Sequence, residues 1–448
     1  MSMTLDATTQ GALYQQLLDE DSRPVPAALR LNSPMGDGQT KVPVTRYTDP
    51  AFHKLEVDKV WKRVWQMACR EEDIPEVGDH IPYEIAGMQI LVVRSAPGTI
   101  KAFRNICLHR GRTLKEFPGR AEEFRCPFHG IAWNLDGSLK QVPCRWDFSE
   151  IPDEWPLPEV KVGTWGGFVF INLDLNCGTL EAHLGDLPKH FETWDLAGRY
   201  KAVHVGKILR CNWKLAQEAF MESFHVVATH PQLLAGIGDT ITQYDSFGNF
   251  TRGITPNGVT STHVKWIPSE QEMMDAITDR TLDVDEIIHV PEGEHSRKLL
   301  ADHRRAQLAD TIGAEAADAQ TDAEMCDSIV YTMFPNFHPW GAYNRITYRF
   351  RPYGNRHDMS IMECMILNPF KGKRPKAAPL KMLGVDDDWT EAYELGLLTR
   401  VFNQDVYNLP KVQEGLESGA IDHVVFARYQ ETKIRCIHAE LMRWIERP

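Results

Sequence analysis

Two short segments constrain this chain more than anything else in it: Cys107-Leu-His109-Arg-Gly111 and Cys126-Pro-Phe-His129-Gly130, with sixteen residues between His109 and Cys126. Two thiolates and two imidazoles could close a tetrahedral zinc site or hold a [2Fe-2S] centre in which two His replace two Cys on one iron. Zinc loops tend to pair Cys with Cys and His with His. Each loop here supplies one of each, which favours the mixed-ligand iron–sulfur centre, with the thiolates on an inner iron and the imidazoles on an outer one. Gly111 and Gly130 permit the tight positive-φ turns such loops need. The flanking runs IPYEIAGMQILVVRS, TIKAFRNIC, EEFRCPFHGIAWNL and WGGFVFINLD are β-branched and aromatic, broken by Gly, Pro and Asn. They predict a small antiparallel β domain with both loops at one end.

NICLHRGRTL and RCPFHGIAWNLDGSL resemble the two halves of the Rieske cluster-binding motif, in the form found in ring-hydroxylating oxygenases. Respiratory Rieske proteins usually add a cysteine to each loop, whereas Leu108 to Thr113 and Pro127 to Ala132 contain none. The resemblance implies Cys107, His109, Cys126 and His129 as cluster ligands.

A second cluster, EAFMESFHVVATHP, gathers Glu222, His225 and His230 ahead of Pro231. The composition predicts a helix over 212–229, with Glu222 and His225 on one face. On an ideal helix, His225 and His230 would stand about 140° apart. The helix must therefore widen or end before His230, and Pro231 supplies a reason for ending. Two histidines call for a carboxylate, and a 2-His-1-carboxylate site leaves positions open on non-haem iron. One candidate is Asp405 in VFNQDVYNLPKVQEGLESG, read as opening a helix that runs to about Ser418. NWKLAQEAFMESFHVVATH and NQDVYNLPKVQEGL are again similar to segments of the oxygenase family, which implies His225, His230 and Asp405 as ligands of a mononuclear Fe(II).

By the same resemblance, Glu222 takes the place of the acid linking a metal-site histidine to a Rieske histidine of the neighbouring subunit. Its implied partners are His225 and, from the next copy, His129. A carboxylate between imidazoles fixes their tautomers and offers a short path for an electron with its proton. Glu stands where many ring dioxygenases have Asp, a form associated with members acting on quaternary amines. Ala219 follows Glu218 where the family often has Asn. Ala219, Met221, Phe337 and Phe402, with Phe220, Tyr331 and Phe334, are candidates for an apolar substrate pocket.

The 448 residues allow two or three units. The division expected is an N-terminal arm at 1–46 packing on the catalytic domain, a Rieske domain at 47–175 and a catalytic domain at 176–448. The resemblance makes the last a helix-grip fold, an antiparallel sheet with a long helix, so the class is α+β. Residues 268–326 read as an acidic helical insertion, either a lid or a solvated helical pair. The net charge of −13 argues against a nucleic-acid partner. No apolar run reaches membrane-spanning length, and the acidic start makes the cytoplasm the expected location. Nine scattered cysteines do not form a disulfide framework. With no G-x-G-x-x-G after a strand, a separate reductase or ferredoxin must supply electrons.

The expectation is a terminal oxygenase component that uses O2 to hydroxylate a hydrophobic, aromatic substrate. A homotrimer is implied, with a β subunit as a possible addition. The alternatives are a monooxygenase or demethylase of an amine or ether, and a non-enzymatic Rieske electron carrier.

Overall fold

The computed structural model describes residues 7–33, 36, 38–278 and 287–447. Residues 1–6 of the predicted arm and 279–286 of the predicted insertion lie outside the described residues. Two antiparallel sheets organise the chain. The first runs in the order Gln66–Arg70, Phe168–Asn172, Glu159–Trp165, Thr99–Arg104, Met88–Ala96, Asp79–Ile85, Gly119–Arg120. Beside it, Phe124–Arg125, Ala132–Trp133 and Leu139–Gln141 form a three-stranded sheet. Leu91, Val93, Phe103, Phe124 and Trp133 fill the space between these strands and bury Cys107 and Cys126.

The second sheet has eight strands, from Gln243–Ser246 through Phe250–Thr255, Ser328–Met333, Phe337–Pro339, Ile346–Pro352 and Ser360–Asn368 to Tyr200–Leu209 and Lys381–Leu383. Only the last pairing is parallel. One helix, Leu398–Glu417, lies against this sheet and buries Leu398, Phe402, Asp405, Leu409, Gln413 and Leu416. That three-and-four spacing is the stripe of a helix packed on one side. Asp405 sits within the stripe, seven residues after the helix begins, and does not open it as the sequence suggested. The apolar pattern extends upstream through Val401 and Leu398, so the helix starts earlier and Asp405 faces the interior.

The two sheets are locked together by buried charge. Glu363 is fully buried and accepts from Arg349 at 2.5 Å, Arg351 at 3.2 Å and His204 at 2.8 Å. Arg349 also donates to the Met67 carbonyl and Arg351 to the Glu84 carboxylate of the first sheet. Lys214 meets Glu56 at 2.5 Å, both fully buried. The helix Ala7–Leu18 inserts Tyr14 into the interior, where its hydroxyl donates to Asp327, and Lys41–Pro43 pairs with His423–Val425 near the C-terminus. The helices Glu270–Thr278 and Ser296–Ile312 build a small core of their own around Met274, Ile277, Leu300 and Leu308. Among the described residues no helix is long and apolar enough to cross a membrane, and the nine cysteines form no disulfide.

Candidate metal centres

The first pair of loops is built alike. In one, the Gly111 N–H donates to the Cys107 carbonyl at 2.8 Å and the Cys107 N–H to the Arg112 carbonyl at 2.7 Å; in the other, Gly130 donates to Cys126 at 3.0 Å and Cys126 to Ile131 at 2.8 Å. Gly111 and Gly130 take φ of 73° and 78°, a conformation that costs a side-chain-bearing residue far more than glycine. Both cysteines are buried, and the rings of His109 and His129 stand 4.7 Å apart, with His129 exposed. Burial pushes the Cys107 thiol up, and the Cys126 thiol beside it adds to the shift. His109 Nδ1 is buried with no hydrogen-bond partner. Two adjacent thiols that form no disulfide, together with an orphaned imidazole nitrogen, fit a [2Fe-2S] cluster. Exposed Phe117, Phe128 and Trp146 lie on this unit.

The second centre departs from the single helix predicted over 212–229. Asn212 caps a helix over Trp213–Glu218 by accepting from the Lys214 N–H, and the chain then turns before a short helix at Val226–Thr229. The break has a local cause, because polar side chains here compete for the backbone. Glu222 accepts the His225 backbone N–H at 2.9 Å, and the Ser223 N–H donates to Tyr244 Oη at 2.9 Å. His230 ends the second helix at φ −127°, ψ 54°, outside the α region that is disfavoured before Pro231.

That turn brings the ligands together. Ligand atoms of His225, His230 and Asp405 lie within 4.8 Å of one another. His225 Nε2 is 3.4 Å and His230 Nε2 2.9 Å from Asp405 Oδ1. The opposite ring nitrogens are held too: His225 Nδ1 by Glu222 at 2.6 Å and His230 Nδ1 by Gln404 at 2.8 Å. Anchoring each Nδ1 aims each Nε2 at the shared point, as supporting groups do for metal-bound histidines. Burial works to raise Asp405, but its two histidines hold it below the usual carboxylate range. Burial likewise opposes protonation of His225, yet Glu222 and then Asp405 outweigh it and raise the imidazole to about 10. Two carboxylates around two imidazoles make a donor set that demands a cation, and it fits Fe(II). Gln404 was missed by the sequence reading; its position next to Asp405 was the only clue.

A cavity of about 120 Å3 opens beside these three residues. Ala219, Phe220, Met221 and Phe402 line it, with Trp340, Tyr348 and Lys433. Phe337 does not, and neither do Tyr331 and Phe334. Alternation along Phe337–Pro339 turns His338 toward Gln217 on the metal side and Phe337 toward the first sheet. There the Phe337 ring packs 4.8 Å from Phe168 and 5.2 Å from Phe170.

Fold and donor sets together define a protein with a Rieske unit joined to a non-haem iron unit. Residues 189–447 match the model of the ring hydroxylating alpha subunit catalytic domain, and residues 64–152 that of the Rieske [2Fe-2S] domain. The chain belongs to the ring-hydroxylating alpha subunit family of Rieske non-haem iron oxygenases. It is 31% identical over 212 residues to the biphenyl dioxygenase alpha subunit of Paraburkholderia xenovorans, covering 43% of this chain and 45% of that protein. It is 30% identical over 195 residues to the chloroplastic choline monooxygenase of Beta vulgaris, covering 42% and 44%. Each match thus spans less than half of the relative's length. Two solved structures share the fold: naphthalene 1,2-dioxygenase from Rhodococcus sp. (TM-score 0.63, 21% identity, 91% of this chain and 95% of that one) and a quaternary ammonium Rieske monooxygenase (TM-score 0.64, 16% identity, 91% and 95%).

Proposed function

We propose that this chain is the terminal component of a multicomponent oxygenase, taking electrons from a reductase or ferredoxin and using O2 to hydroxylate a hydrophobic organic substrate. The observation that carries this reading is the convergence of His225, His230 and Asp405 beside an apolar cavity, with both Nδ1 atoms anchored. When bound there, Fe(II) supplies activation of O2, and Cys107, His109, Cys126 and His129 would hold the cluster that delivers electrons. The chain's own contribution is positional. Glu222 keeps the proton of His225 on Nδ1, while Asp405 and His230 fix the opposite side.

His225 is a quarter exposed and His129 lies at the surface, so the edge of each centre is open to another copy. This supports a head-to-tail homotrimer in which Glu222 joins His225 to His129 of the neighbouring copy. Inter-subunit electron transfer is known for the quaternary ammonium Rieske monooxygenase that shares this fold. A second reading, monooxygenation or demethylation of an amine or ether, draws on Glu222 standing in place of Asp, and product analysis under 18O2 separates the two.

The central test is Glu222→Gln. Metal analysis should still find about three irons per chain, two in the cluster and one in the triad, where a simple electron carrier would hold two. In single-turnover spectra the Rieske centre of the variant should stay reduced. Wild-type turnover by this variant would remove Glu222 from the path.

A further inference from the structure

The cavity beside the metal triad adjoins a larger one of about 410 Å3 beneath the helix Ser296–Ile312. Ser328, Trp340 and Leu398 belong to the walls of both. Together they offer the room of a ligand-sized pocket, much more than the triad's own cavity provides.

Outside the metal site, their lining holds donors that lack acceptors. Lys433, in the inner cavity, is buried and donates only to the Val330 carbonyl, at 3.0 Å. Burial alone lowers its ammonium to about 7. At the junction, the Trp340 indole N–H is buried with no acceptor. In the outer cavity, Arg304 donates from Nη1 to the Met325 carbonyl at 2.6 Å, and its buried Nε has no acceptor. The carboxylates of that wall are already engaged. Asp327 pairs with Arg297 at 2.5 Å, and Glu324 accepts from Trp194 at 2.7 Å and from the Thr321 N–H at 2.8 Å. The carboxylates of the inner cavity belong to the metal site, where Glu222 accepts from His225 and Asp405 Oδ1 faces His225 and His230. Buried donors left unpaired are costly, and two of them beside an under-paired lysine favour a ligand that brings acceptors.

We propose that the substrate is an apolar skeleton ending in a carboxylate, spanning both cavities, with the carboxylate on Arg304 and the skeleton passing Trp340 to the metal triad. The guanidinium edge suits a planar carboxylate. A quaternary ammonium group can accept no hydrogen bond from Lys433, Trp340 or Arg304. This specifies the substrate class of the proposed oxygenase and rests on that reading.

The test uses one skeleton with three charges: biphenyl-4-carboxylate, 4-hydroxymethylbiphenyl and biphenyl-4-yl-trimethylammonium. Binding to the metal-loaded protein is titrated calorimetrically without reductant, so that affinity is read apart from turnover. The acid should bind on the order of tenfold more tightly than either of the others, the effect of one charge-assisted hydrogen bond. Arg304→Met should abolish that preference and Arg304→Lys should keep part of it. The wild-type ranking stands without either variant. Equal or weaker binding of the acid, including no binding by any of the three, overturns the proposal, as does an Arg304→Met protein that retains the preference. Acid preference with no oxygenated product in a separate turnover assay supports the carboxylate site and counts against the oxygenase reading alone.

Discussion

Gln404 shows how much of a metal site lies outside its ligands. It holds His230 Nδ1 at 2.8 Å, as Glu222 holds His225. Gln404→Leu should therefore weaken iron binding by about 10- to 100-fold, the usual effect of losing such a partner, measurable by competition with a chelator while the Rieske absorption is unchanged. Lys433 gives a test that depends on pH. Because its folded value is lowered to about 7, the folded chain sheds a proton that the unfolded chain keeps, and stability climbs from about pH 7 toward the ordinary lysine value. Lys433→Met removes the burial penalty. The gain in Tm should be largest near about pH 6 and fade toward about pH 10. At this scale the sequence was informative wherever chemistry constrains spacing: Cys107, His109, Cys126, His129, His225 and His230 sit in short motifs. Gln404, Trp340 and Lys433 carry no such signal, since an amide, an indole or an amine becomes functional only through what folding places beside it. Phe337 erred for the same reason, because its three-residue strand shows no pattern to say which side faces the metal.

Among the elements, the strands were the most legible. The apolar runs IPYEIAGMQILVVRS, TIKAFRNIC and WGGFVFINLD marked Met88–Ala96, Thr99–Arg104 and Phe168–Asn172, all of which are strands. The helix predicted over 212–229 failed because propensity counts the side chains of Glu222 and Ser223 as tolerable helix residues, whereas here Glu222 bonds to the backbone and Ser223 to Tyr244 and Thr255 on the facing strands. The long helix was found but placed late, since only packing shows that its apolar stripe begins at Leu398. The strand Ser360–Asn368 carries an element's heaviest electrostatic duty in Glu363, buried among Arg349, Arg351 and His204. Burial pushes that carboxyl up, but the arginines and His204 hold it far below the usual range. Glu363→Gln strands two buried guanidinium groups, and urea unfolding at neutral pH should register a loss of about 3–5 kcal/mol.

For the molecule as a whole, the proposed head-to-tail trimer would set the exposed edge of the Rieske loops against the partly open Glu222–His225 edge of the next copy. Analytical ultracentrifugation should find a trimer at micromolar concentration; a monomer that turns over substrate would remove the neighbouring copy from the electron path. Composition and charge could not reach this level, because an isologous or cyclic contact leaves no periodic trace in a single chain. The aromatic seam has a different consequence. Phe168 and Phe170 rest on Phe337, and Trp65 and Met67 share a core with Met333, Met365 and Leu367 across the junction. The Rieske unit is therefore not portable. A fragment cut after Asn172 would carry a bare greasy face, and shuffling this electron-carrying module into another protein would require that face to be rewritten.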